Sequence, residues 1–285
     1  MTTRTAPPSV RPRLVAACWT WAGDAEPGRP GPADIDDVLD RVRAASGAGW
    51  DGLGFHDHDL ATVRETIGFP GLREVLRDAG IDIVEVEFLD DWWRADADPG
   101  IEALLLDAAG ALGARLIKAG VPSHEELADI GAEVVASRLA RLGDRAGQSG
   151  TQVALEAMGE PGTLDITEVV ELVSHAASPF CGAVVDNFQL AKVSTSRSEL
   201  CDLDWSRVLS VELGDATGSG HDITERCIPG DGDIALPAFI RDVEELGWTG
   251  CWGVEIISSQ LRELPQREGV RLVHDRILAA FTAAH

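Results

Sequence analysis

Tyrosine is absent from the 285 residues, so no phenol is available as a general acid. Basic side chains are scarce beside acidic ones: 24 Lys and Arg face 48 Asp and Glu, a formal charge of −24. A surface of that sign repels phosphate backbones and anionic lipid, which makes nucleic acid and membrane poor partners. The cysteines, Cys18, Cys181, Cys201, Cys227 and Cys251, are odd in number and form no CxxC pair. That speaks against a disulfide framework or a zinc–thiolate site and for a reducing, cytoplasmic setting. No apolar stretch approaches the ~20 residues that span a bilayer, and the opening "MTTRTAPPSVRPR" lacks the apolar core of a signal peptide. Its prolines and arginines read as a flexible arm over residues 1–13, ahead of a single domain over 14–285.

Hydrophobic residues make up 45% of the chain, enough for a substantial core. They come in short apolar runs alternating with longer amphipathic ones. The runs are "LVAACWT" from Leu14, "DGLGF" from Asp51, "IDIVEVEF" from Ile81, "RLIKAG" from Arg115, "QVALEA" from Gln152, "GAVVDN" from Gly182, "VLSVELGD" from Val208 and "CWGVEII" from Cys251. Such Val/Ile/Leu-rich segments suit parallel strands covered on both faces. Between them, "ADIDDVLDRVRAASGAGW" places Ile35, Val38, Leu39 and Val42 on one helical face, and "PGLREVLRDAG" repeats the pattern with Leu72, Val75 and Leu76. Eight strands alternating with helices predict an α/β fold, a (β/α)8 TIM barrel. A doubly wound open sheet is the alternative, weakened because no GxGxxG follows the first strand. The sixth helix is the least clear, since "VSTSRSELCDLDW" is short and polar.

In such barrels the chemistry sits where strands end. Four strands in succession end on an acid: Glu156 in "VALEA", Asp186 in "AVVDN", Glu212 in "LSVEL" and Glu255 in "WGVEI". A barrel brings them to one side of its mouth. Two bare carboxylates ~4 Å apart repel by about 4 kcal/mol at an effective dielectric of 20, so the set requires a counter-charge. A divalent cation supplies it, and all-oxygen ligands favour Mn²⁺ or Mg²⁺ over Zn²⁺. Protonated carboxyls or a nearby lysine are the alternative, with Lys118 in "LIKAG" the candidate lysine.

The pieces "GARLIKAG", "VALEAMGEPG", "VVDNFQL", "VELGDA", "RCIPGDGDIALPAFI" and "WGVEI", in this order, resemble the xylose-isomerase-like sugar phosphate isomerase/epimerase superfamily of TIM barrels across roughly residues 14–280. The resemblance implies a divalent metal held by Glu156, Asp186 and Glu255, with a fourth ligand at Glu212. Two departures stand out. Many members carry histidine where this chain has Glu212, and "D-x-x-H" where it reads Asp186-Asn187-Phe188-Gln189. The first makes the site more anionic. The second replaces an imidazole with an amide that can still hydrogen-bond a sugar hydroxyl.

"FHDHDL", from Phe55 to Leu60, resembles the Phe-His-Asp-Asp-Asp-Leu segment of xylose isomerases. By that resemblance His56 faces the substrate and Asp59 orients its imidazole; the residues themselves leave open metal ligation by His56 or His58, and Asp57 and His58 read as caps of the next helix in a solvated loop. "RCIPGDGD" likewise places Arg226 near the substrate. Further strand-end groups fill out a polar pocket with aromatic walls: Trp19, Glu87, Trp92, Gln189 and Asp215 as substrate-binding candidates, and His221 by proximity alone. Glu156, Glu255, His56 and Lys118 are the catalytic candidates. The expected activity is isomerisation or epimerisation of a sugar, polyol or cyclitol carbonyl through an enediolate. The alternative is a dehydratase or lyase that eliminates from a keto-sugar or keto-cyclitol. An endonuclease is disfavoured by the charge and the few histidines, and a non-catalytic binding barrel is the remaining class. The sequence leaves open a homo-oligomer or a partner subunit.

Overall fold

The computed structural model describes residues 11–28, 34–220, 223 and 225–285. Most of the arm expected over 1–13, and His221, lie outside these residues. The strands are β1 (Leu14–Ala16), β2 (Gly52–His56), β3 (Ile83–Leu89), β4 (Leu116–Ala119), β5 (Val153–Glu156), β6 (Cys181–Asp186) and β7 (Val208–Leu213), then the short β8 (Asp215–Ala216) and β9 (Arg226–Cys227), and β10 (Trp252–Val254). Eight of them close a parallel barrel in the order β1-β10-β7-β6-β5-β4-β3-β2, and β8 and β9 form a separate antiparallel ribbon. The expected (β/α)8 barrel is therefore the fold. The seam closes by pairing Leu14 with Trp252 and Ala16 with Val254 on one side, and Val15 with Gly52 on the other.

Helices occupy the outside. The main apolar core lies between them and the strands, from Leu14, Trp21 and Leu53 through Ile117, Leu139 and Val153 to Val254 and Ile277, all fully buried. Two sequence expectations shift locally. "CWTW", read as strand, turns into a short helix at Cys18–Trp21, and the indistinct sixth crossover resolves into two short helices, Asn187–Lys192 and Arg197–Asp202. Ser196 starts the second of these with a capping box to Glu199, which satisfies amides that the short segment leaves unpaired.

The inside of the barrel is where this fold is unusual in composition. Side chains alternate along a strand, so positions two apart share a face. Leu116, Ala154 and Val184, packed with Leu209, form an apolar cluster separate from the main core. Two positions further along, their strands carry Lys118, Glu156 and Asp186. Below that layer, buried Glu85 accepts from Arg115 Nε at 2.6 Å, and Arg115 also donates to Ser210 Oγ at 2.9 Å and to the Leu209 carbonyl at 2.7 Å. Charge, rather than stacked aliphatic side chains, thus fills much of the interior, and at this level Arg115 offsets Glu85.

Candidate active site

Glu156, Asp186, Glu212 and Glu255 come from β5, β6, β7 and the residue after β10, and all four are buried. Each offers an oxygen, and these oxygens lie within 4.8 Å of one another. The expected convergence of strand-end acids is realised. Burial, then the neighbouring Glu255, pushes the Glu156 carboxyl up to about 8, and burial raises Asp186 and Glu212 as well.

Two cations reach the cluster. Lys118, fully buried on β4, donates to Glu212 Oε1 at 2.8 Å and pairs with Glu87 Oε2 at 2.7 Å. Glu87 Oε1 also accepts from the Cys18 amide at 3.1 Å. Arg226, on β9, sets Nη2 at 2.6 Å from Asp186 and 2.5 Å from Glu255, with its guanidinium 4.0 Å over the Phe188 ring. Five acids meeting two cations leave three without a cation of their own in a dry interior, which is why burial and mutual repulsion raise them. Glu212 Oε2 and Gln189 Oε1 are buried acceptors with no partner. More acids than cations, oxygen donors at ligating separation and orphaned acceptors together fit a divalent cation.

Glycine makes this layer sterically feasible. A Cβ on Gly54 of β2 would stand 1.6 Å from Glu87 Oε1, and one on Gly253 of β10 would stand 2.7 Å from Glu212 Cγ. Only strands bare at these points admit the Glu87–Lys118–Glu212 row. A glycine inside a strand signals such a close approach, and "DGLGF" carries that signal in the sequence.

A cavity of about 490 Å³ opens over the cluster. Glu156, Glu255, Gln189, Arg226, His56 and Trp19 line it, whereas Lys118, Glu87, Asp186 and Glu212 lie behind its wall. The four acids are thus divided into a pair that faces the cavity and a pair that backs it. Gln189 Nε2 is 3.4 Å from Glu156 Oε1. The rings of Trp19 and His56 lie 4.6 Å apart between centroids, tilted by 49°. On the wall, the sequence reading missed Phe88, near the end of β3, and Asp90, Met158 and Ile257, which come after their strands, all without a recognisable motif.

Other expected residues take different places. The carboxylate at His56 Nδ1 is that of Asp57, at 2.5 Å. Asp59 points away and holds buried Arg41 with two bonds, at 2.7 and 3.0 Å. The reason is helical phase: the helix Asp57–Glu65 starts immediately after His56, so Asp59 already faces the neighbouring helix Ile35–Ala48. Trp92 is not on the cavity wall; its indole donates to the Gly120 carbonyl at 2.8 Å. Asp215, buried, accepts from the amides of Ala216, Gly230, Gly232 and Ile234 at 2.7–3.2 Å, and so fastens the loop that carries Arg226.

A closed (β/α)8 barrel with converging carboxylates at its mouth defines the class of the chain. The family model described as "Xylose isomerase-like TIM barrel" matches residues 42–276, and the chain belongs to that family. A 3-dehydroshikimate dehydratase from Pseudomonas putida is 25% identical over 242 residues, covering 80% of this chain and 37% of that protein. An inosose isomerase from Halalkalibacterium halodurans is 27% identical over 143 residues, covering 48% of this chain and 50% of that one. The chain therefore spans half or less of each of these relatives. Among solved structures, IOLI protein with a bound zinc atom has a TM-score of 0.78 at 17% identity, covering 96% of this chain and 99% of that one. No helix among the described residues is long and apolar enough to cross a membrane.

Proposed function

We propose that the chain is a divalent-metal-dependent isomerase or epimerase acting on a sugar, polyol or cyclitol carbonyl through an enediolate. The observation that carries this reading is the set of four carboxylate oxygens within 4.8 Å of one another beneath an open cavity. Glu156, Asp186, Glu212 and Glu255 would hold the ion, and all-oxygen donors favour Mn²⁺ or Mg²⁺. When bound, such an ion supplies Lewis-acid polarisation of a carbonyl.

The chain's own residues do the rest. Glu156 and Glu255 border the cavity, so each can take or return a proton at carbon beside the carbonyl. Arg226, anchored between Asp186 and Glu255, fixes the orientation of Glu255. Gln189 orients Glu156 and offers an amide to a hydroxyl. His56, held by Asp57, presents its ring beside Trp19, whose indole face suits the C–H face of a polyol ring. Lys118 and Glu87 are positioning residues: they hold Glu212 from behind and touch no substrate.

Elimination from a keto-sugar or keto-cyclitol is a second reading, supported by the Pseudomonas relative named as a dehydratase. It shares the α-proton abstraction and differs in the fate of the enediolate, which expels a β-hydroxyl instead of being reprotonated. The test is incubation with Mn²⁺ and candidate ketones in D₂O, then NMR and mass spectrometry. Isomerisation should return a deuteron to carbon, so the product differs from the substrate's composition only by that H-to-D exchange; elimination should show loss of water, with deuterium exchanging into the recovered substrate at the α-carbon. Glu156→Gln and Glu255→Gln should each slow exchange by roughly 10²–10⁴-fold. Turnover with no deuterium uptake, or full activity after exhaustive chelation, would remove the reading.

A further inference from the structure

The wall of the cavity is strongly one-sided in charge. Asp57, Asp90, Asp91 and Asp98 stand around its rim, and Glu156 and Glu255 on its floor. Arg226 is the one permanent cation among the described lining residues, and its Nη2 is already shared between Asp186 and Glu255. Any charge on His56 is matched by Asp57 at 2.5 Å. Lys118 is out of reach, with 0% exposure, clasped by Glu87 and Glu212. A phosphate or carboxylate is recognised by arginine forks, lysines or converging amides with charge to spare. The described wall offers none. A divalent ion at the floor would itself be outweighed by the four acids that hold it. His58, whose ring lies 5.2 Å from that of His56 and beside Asp57, and the neutral amide of Gln189 also line the wall, as does a further acid, Glu26; Trp19, Phe88, Met158 and Ile257 give it apolar surface.

We propose that the cavity takes an uncharged polyol ketone and discriminates against phosphorylated and carboxylated molecules of the same size. The inference deepens the polyol-carbonyl reading and rests on it for the reacting group, but its physical basis is the field of the wall. A cleft lined by one sign of charge concentrates its field and expels ligands of that sign. Several rim carboxylates within a screening length of the ligand amount to a discrimination on the order of tenfold or more per negative charge at low salt. The discrimination is of field rather than of shape, so it should shrink in 1 M salt, where the screening length falls to ~3 Å.

The experiment uses matched pairs on the Mn²⁺-loaded protein: a ketohexose against its 6-phosphate, and a keto-inositol against 3-dehydroshikimate. Calorimetry and ligand-observed NMR give the affinities. The uncharged member of each pair should bind about tenfold tighter or better, and the gap should narrow at high salt. Asp90→Asn combined with Asp98→Asn removes two rim charges without touching the floor, and asparagine retains the cap that Asp98 gives to the helix Pro99–Leu112. That variant should narrow the gap severalfold, chiefly by tightening the anionic member of each pair. Equal or tighter binding of the anionic member, or a gap indifferent to both salt and the rim variant, would overturn the inference. So would the absence of binding by both members of both pairs. Deuterium exchange on the same samples separates the two claims: discrimination without exchange leaves the charge rule standing and removes the enediolate reading.

Discussion

Replacing Lys118 with methionine tests the interior charge layer most directly. Lys118 is fully buried and contacts Glu87 at 2.7 Å and Glu212 at 2.8 Å. Methionine follows the same path and ends one atom short, at the level of Cε, so the change removes charge without opening a large cavity. Two buried carboxylates are then stranded. Removing one partner of a buried pair costs about 3–5 kcal/mol, a large share of the roughly 5–15 kcal/mol that holds a domain folded. Urea denaturation of the metal-free protein at pH 8 should show a loss of that order. Burial already raises Glu87 and Glu212 above the ordinary carboxylate range with Lys118 in place. Without it they rise further, so in the variant the folded form binds protons more tightly than the unfolded form. Their penalty is absent when both are protonated and appears as pH rises through the folded-state values. The deficit relative to the natural protein should therefore shrink between pH 8 and pH 5. Adding Glu212→Gln removes one of the stranded charges and should recover about half the loss, a coupling expected of contacting residues. A deficit below about 1 kcal/mol, or one that grows on acidification, would refute the claim that Lys118 is held as an ammonium between two carboxylates.

Three other outcomes are expected from the same geometry. Gly54→Ala places a Cβ 1.6 Å from Glu87 Oε1 and 3.1 Å from the Cys18 amide nitrogen; the displaced carboxylate loses Lys118, and urea melts should show a loss at or above the ~1–3 kcal/mol usual for overpacking. Gly47→Ala, inside the helix Ile35–Ala48 with nothing within 4 Å of the new Cβ, should instead stabilise by about 0.5–1 kcal/mol in the same assay. Metal binding should release protons at pH 6.5–7, because Glu156 sits at about 8 in the metal-free chain and must ionise to ligate; calorimetry in buffers of different ionisation enthalpy measures this, and affinity should fall as pH falls.

The barrel strands were legible because burial on both faces writes them as unbroken apolar runs, and their acids because a carboxylate at the end of such a run has few structural reasons to be there. Convergence is then a consequence of closure, which one rule about strand ends supplies. The partners of those acids were not legible. Lys118 and Glu212 are 94 residues apart in sequence, and Arg226 reaches Asp186 from a ribbon that is not part of the barrel. Pairings across such distances leave no local pattern. The roles of Asp57 and Asp59 turned on where a helix begins, which no local pattern fixes to the residue. Asp215 reads as a polar strand-end residue like the others, and only the loop folded over it reveals that its oxygens serve backbone amides.

The departure at Glu212 also becomes intelligible at this level. An imidazole in that place brings a neutral ligand, whereas a carboxylate adds a charge to a cluster that already holds three acids. Lys118 donates to one oxygen of Glu212 and leaves the other without a partner. The ammonium, shared with Glu87, offsets part of the charge of Glu212, which still presents one oxygen to the cluster. A carboxylate with an ammonium bound behind it is thus less anionic than a bare one while keeping a hard oxygen donor. The arrangement requires a second acid, Glu87, to hold the far side of the ammonium, and it requires Gly54 and Gly253 to leave room for both carboxylates. Five positions on five strands are therefore coupled by one substitution of ligand type. A reversion of Glu212 to histidine alone would leave Lys118 facing Glu87 beside an uncharged ring, so the swap should be tolerated only when Lys118 and Glu87 change with it.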